Sequence, residues 1–157
     1  MVFNIFKIIF VSLLPIAELR GGIPLGLSMG MNVFLVYFIA VLSNLLVFPI
    51  VYIFLNSIHN IFMKFDFYRK TFERFLKRVR RRVHKKIEKY GYLGLTLFVA
   101  IPLPITGAYT GTLAAWFFKM NWKKSFLAVA LGVFTAGIIV SLVCLFGIRV
   151  FNIFIKI

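Results

Sequence analysis

Glu18 and Arg20 stand two residues apart in the stretch Pro15-Ile-Ala-Glu-Leu-Arg-Gly-Gly-Ile-Pro24, inside an otherwise apolar region. A carboxylate in such surroundings can take up and release a proton. A guanidinium can hold a phosphate or carboxylate in a two-pronged geometry that an ammonium cannot match. An ionisable group at membrane depth costs about 2.5–3.5 kcal/mol or more, so its presence asks for a reason. The bland alternative is an ion pair that fastens a loop, or a break lying at the membrane surface. Gly21, Gly22 and Pro24 complete this first constellation.

A second constellation, Pro102-Leu-Pro104-Ile-Thr106-Gly107-Ala-Tyr109-Thr110-Gly111, holds neutral groups only. The hydroxyls of Thr106, Tyr109 and Thr110 and the glycine amides could line a polar passage. Equally, Gly107 and Gly111 could serve only a tight turn and close packing. Asn44, in the middle of a long uncharged run, needs a buried partner and is read first as a packing residue, second as a substrate contact. The lone Cys144 has no spaced His or Cys partner, so no metal site is expected. No nucleophile–base–acid set, phosphate loop or nucleotide motif occurs. The expectation is a protein without catalytic residues or cofactor.

The elements that hold these residues follow from composition. Of 157 residues, 62% are apolar and mean hydropathy is +0.98, yet 19 Lys+Arg face only 4 Asp+Glu, for a net charge of +15. A disordered basic tail would lack the Phe, Leu, Ile and Val. A soluble nucleic-acid binder could not hide residues 21–63, which contain no Lys, Arg, Asp or Glu. A disulfide scaffold needs paired cysteines. The composition describes an integral membrane protein.

The charge is concentrated. Residues 64–89 hold twelve basic and three acidic side chains, 12 − 3 = +9. Phe72, Leu76, Val79, Val83, Ile87 and Tyr90 recur every three or four positions, and Glu73 with Lys77 is a favourable helical pair. The segment 64–90 is therefore expected to be a basic amphipathic helix on the cytoplasmic membrane surface, against anionic lipid head groups, rather than a nucleic-acid arm. Lys119, Lys123 and Lys124 should share its side.

Two runs are long enough to cross a bilayer: 33–55 and 125–148. Pro49 should kink the first. Ala128, Gly132 and Ala136 give the second a small-residue face, a candidate contact for a homodimer. The regions 1–30 and 92–118 are split by their two constellations into pieces too short to cross. Irregular backbone at membrane depth is tolerated only inside protein or beside a wet cavity, so both read as re-entrant hairpins. Residues 15–32 and 104–121 align without a gap at an offset of 89, with five identities: Pro, Ile, Gly, Met and Asn. A long span follows each. A re-entrant hairpin crosses zero times and a span once, so the two repeats must run in opposite directions.

The expected fold is thus an all-α integral membrane protein and a single domain over 1–157. Repeat one covers 1–57, repeat two covers 92–150, and the basic helix 64–90 links them.

On Glu18-Leu-Arg-Gly-Gly-Ile-Pro24 and Ile101-Pro-Leu-Pro-Ile-Thr-Gly-Ala-Tyr-Thr-Gly111, the chain resembles the small multidrug export family, a distant branch of the DedA/VTT membrane-protein superfamily. The resemblance covers about residues 12–148. It implies two re-entrant hairpins plus spans, a homodimer, and an ion- or proton-coupled transporter in the cell membrane. Better-studied branches are implicated in moving lipids such as polyprenyl-phosphate carriers. In the DedA pattern the second hairpin carries arginines, which Thr106–Gly111 here lacks. By resemblance, Glu18 and Arg20 match the acidic and basic positions of the first hairpin. The leading expectation is a flippase for an anionic lipid-type substrate. The alternatives are a multidrug or cation exporter and a non-transporting membrane scaffold.

Overall fold

The computed structural model describes residues 2–57, 70, 73, 74, 77, 90–103 and 106–155, with side chains through Gly147. Everything described is helix or short connection. The elements are α1 (Val2–Leu13), α2 (Glu18–Ser28), α3 (Val33–Leu45), α4 (Val47–Ser57), α5 (Tyr90–Ala100), α6 (Ala108–Phe117) and α7 (Trp122–Ile155). The expected basic helix 64–90 lies outside the described residues, save for Lys70, Glu73, Arg74, Lys77 and Tyr90, each helical and exposed.

Two stretches are long and apolar enough to cross a membrane, Val33–Ser57 and Trp122–Gly147. The chain is a helical membrane protein. The first stretch breaks at Leu46, between α3 and α4, rather than bending at Pro49 itself. The proline ring clashes with the carbonyl four residues earlier, that of Leu45, and has no N–H to give it. The disturbance therefore surfaces N-terminal to the proline. The second stretch runs without interruption, and α7 exceeds the expected 125–148 at both ends.

The chain divides into two compact units, Met1–Asn44 with Phe134–Ile157, and Leu45–Val133. In the first, α1 packs along α2. A β-carbon on Gly22 would strike Ser12 Oγ, and one on Gly26 would lie 2.6 Å from a methyl of Val36. Ile8, Leu19, Ile23, Val36, Ala40 and Val41 fill this interior. Gly137 of α7 meets the ring of Tyr37, whose hydroxyl donates to the Phe134 carbonyl at 3.1 Å.

In the second unit α4 packs on α6, and Phe48 sits in an aromatic cluster with Tyr52, Trp122 and Phe126. Thr96 Oγ1 donates to Ala128 O at 3.0 Å, and a β-carbon on Gly132 would lie 2.6 Å from Val99 Cβ. Lipid tails are as apolar as leucine, so helices associate in a bilayer chiefly by close fit, which these small residues permit. The Ala128/Gly132/Ala136 face is consequently spent inside the chain. Ala128 and Ala136 are 4% and 3% exposed, which corrects its expected use as a dimer contact.

Candidate functional site

The junction between each helix pair and the span that follows is built twice. In the first, Met29 N, Gly30 N and Met31 N donate to the carbonyls of Leu25, Leu27 and Gly26. In the second, Phe118 N, Lys119 N and Met120 N donate to those of Ala114, Trp116 and Ala115. Every one of the six residues in the second set is its counterpart's number plus 89. This is the helix C-terminal motif that needs one residue in the left-handed region. Gly30 supplies it with φ 71° and Lys119 with φ 50°. An asparagine then caps each span: Asn32 Oδ1 accepts from Phe34 N at 2.9 Å, and Asn121 Oδ1 from Lys124 N at 3.3 Å. Two of the five sequence identities, Met31 with Met120 and Asn32 with Asn121, thus mark a repeated piece of backbone.

At the start of the second helix in each pair the aligned residues share a positive φ rather than a conformation. Glu18, the first residue of α2, has φ 49°, and Gly107, the N-cap of α6, has φ 132°. Glu18 and Lys119 are the two non-glycine residues with positive φ among those described. A β-carbon in that region costs roughly 1–2 kcal/mol. At both positive-φ positions, then, one repeat keeps glycine and the other holds a charged residue against backbone strain.

Glu18 is also 5% exposed. Arg20, half-buried two residues further on, interacts electrostatically with it. The backbone break of this pair lies at residues 14–17, N-terminal to the expected place. Arg20, Gly21, Gly22 and Pro24 are all inside α2, and Pro24 is accommodated although it has no N–H for the helix ladder. Gly22 is there because Ser12 leaves no room for a side chain, and Gly21 lies against Ala17 and Val11. The break that sequence assigned to these residues is a correction. Gly21 and Gly22 serve the contact between α1 and α2, with Glu18 carrying the strained turn.

In the second pair the described residues outside helix are 101–103, 106 and 107. Thr106 Oγ1 lies 2.7 Å from both the Ile101 and Leu103 carbonyls and accepts from Leu103 N at 3.1 Å, so its hydroxyl ties the turn together. Pro102 belongs to this turn, and Pro104 lies outside the described residues. Thr110 Oγ1 donates back to Gly107 O at 3.3 Å. Tyr109, Thr110 and Gly111 are helical rather than part of the turn, and Gly111 permits contact with Val99.

Asn44 is fully buried at the end of α3, and neither Oδ1 nor Nδ2 has a hydrogen-bond partner among the described residues. The partner expected for it is not among the described residues. Glu18, Arg20, Gly21, Gly22, Pro24 and Asn44 belong to one compact unit. Pro102, Thr106, Gly107, Tyr109, Thr110 and Gly111 belong to the other.

Sequence reasoning passed over Asn56 and Trp116. Trp116 Nε1 donates to Asn56 Oδ1 at 2.9 Å across sixty residues of chain, a pairing no local pattern announces.

The family described as “Putative small multi-drug export protein” matches residues 18–139. No curated protein and no solved structure matches the chain.

Proposed function

The chain belongs to the small multi-drug export protein family, and from that premise we propose that it is a secondary transporter moving small amphipathic molecules out across the cell membrane, coupled through the Glu18 carboxylate. One observation carries this reading. Glu18 is buried and held at φ 49°, where the other repeat has glycine. Burial and strain both argue against a glutamate kept for structure alone. Neutral and ionised Glu18 differ by one charge beside Arg20, and a ligand or proton that alters that charge can bias two conformations of the protein. One proton taken up at Glu18 would exchange for one substrate molecule released. Asn44, an amide with donor and acceptor both unspent, is a second polar contact for the substrate.

The architecture belonging to this reading is an inverted repeat of two re-entrant hairpins, each followed by a span. The register of 89 residues, kept in helix ends and caps, supports it. So does the membership of the two units, since each holds one helix pair, the first part of its own span and the last part of the other. The basic segment 64–90 is placed in the cytoplasm, where positively charged loops stay. No catalytic residue, cofactor, metal or nucleic acid takes part. A homodimer would use a face other than Ala128/Gly132/Ala136.

A second reading rests on Arg20. A half-buried guanidinium two residues after Glu18 suits an anionic head group, which makes an anionic lipid-type substrate such as a polyprenyl phosphate the alternative cargo. A membrane scaffold that transports nothing is the third.

Proteoliposomes loaded with a fluorescent cationic dye, and separately with a fluorescent anionic lipid, separate these readings under an imposed pH gradient. The exporter reading expects dye movement that Glu18→Gln abolishes and Arg20→Ala spares or enhances. Loss of lipid movement in Arg20→Ala would favour the anionic lipid. Unaltered dye transport by Glu18→Gln would overturn the coupling role, and no movement of either probe would favour the scaffold.

A further inference from the structure

We propose that the cleft lined by Tyr52, Asn56, Trp116, Phe117, Lys119 and Met120 binds the phosphate-bearing head group of an anionic membrane lipid. The first ground is Lys119 itself. The end of α6 needs a left-handed residue, and Gly30 shows that glycine fills the same position in the other repeat. Lysine there costs roughly 1–2 kcal/mol of backbone strain. Attraction between an exposed cation and the helix C-terminus returns only about 0.3–1 kcal/mol. Capping therefore does not account for a lysine at this position, and its ammonium group must serve something outside the helix.

The second ground is what the cleft offers. Asn56 Oδ1 accepts from Trp116 Nε1, so the NH2 group is the part of that amide left to donate. Lys119 Nζ and the Tyr52 hydroxyl add two side-chain groups that can donate, and no Asp or Glu is among the lining residues. A set of donors that includes a cation suits an anion with several acceptor oxygens. The cavity, about 530 Å³, has room for a head group, and the aromatic rings give its glycerol and upper acyl carbons an apolar wall.

The third ground is depth. Both tryptophans of the chain, Trp116 and Trp122, lie in this unit, and Tyr92 receives a hydrogen bond from Asn121 N where α7 begins. Lys123 and Lys124 follow in the first turn of α7, both exposed. Tryptophan, tyrosine and lysine gathered at the end of a span mark the membrane–water interface. That is where lipid phosphates are concentrated, which favours a lipid over a free anion.

The full chain with Trp122→Phe keeps Trp116 as its one tryptophan and as a reporter within the cleft. Titrated in a zwitterionic detergent, phosphatidylglycerol should shift Trp116 emission to saturation, while phosphatidylcholine and inorganic phosphate leave it unchanged. Lys119→Gly should raise the midpoint at least tenfold while melting at or above the parent temperature, and Lys119→Arg should restore the parent midpoint. A Lys119→Gly midpoint within twofold of the parent would overturn the site. The same shift with inorganic phosphate alone would overturn the lipid assignment.

Discussion

Replacing Glu18 by Gly and by Ala separates what its backbone costs from what its carboxylate does. Both substitutions remove the carboxylate and its interaction with Arg20, so that loss cancels in the comparison. They differ by one β-carbon at φ 49°. In an ordinary helical position glycine is less stable than alanine by roughly 0.5–1 kcal/mol. At this one the order should invert, because the β-carbon costs roughly 1–2 kcal/mol in the left-handed region while glycine is at ease there. Allowing for the greater entropy that glycine loses on folding, Glu18→Gly should be more stable than Glu18→Ala by about 1 kcal/mol. For a chain of 157 residues that is about 2–4 °C in melting temperature, readable by thermal unfolding in detergent. Both variants should be inactive in the proteoliposome assay. Alanine melting higher than glycine would refute the strain, and dye export by either variant would refute the coupling role. A variant that is better folded yet inert is the signature of a residue kept for work rather than for structure.

Other substitutions probe the packing and the orientation. Gly132→Leu drives a branched side chain into Val99 and the Thr96 carbonyl and should cost about 1–3 kcal/mol or more, seen as a lower melting temperature. Asn44→Leu removes an amide with no partner and should stabilise the protein by about 1–3 kcal/mol, while export falls if the amide contacts substrate. A lower melting temperature for Asn44→Leu would show that the amide has a structural partner. Cysteines at Ser28 and Lys123, both exposed, test the inverted arrangement. Impermeant maleimide should label the first from outside in intact cells, and the second only after permeabilisation. Labelling of both from one side would end that reading.

Much of this was legible in the sequence, for reasons that differ by element. The spans appear as uncharged runs because the bilayer demands them, and Met31-Asn32 with Met120-Asn121 marked the repeat because a helix cap needs that side chain at that spot. The position of the first break was not legible. Gly21, Gly22 and Pro24 look like helix breakers by propensity, yet α2 runs through them because glycine there lets α1 approach. The small face of α7 announced a close contact but not with whom, since composition does not say which helix arrives. The left-handed residues Glu18 and Lys119 were invisible, because nothing in a glutamate or lysine signals positive φ.

Those two positions also hold back a reserve. With a β-carbon at φ 49° and φ 50° costing roughly 1–2 kcal/mol each, Glu18 and Lys119 together withhold about 2–4 kcal/mol from a net stability on the order of 5–15 kcal/mol. Glycine at both would return that margin. The protein therefore runs nearer to unfolding than its packing requires, at the two described backbone positions where a side chain is hardest to place.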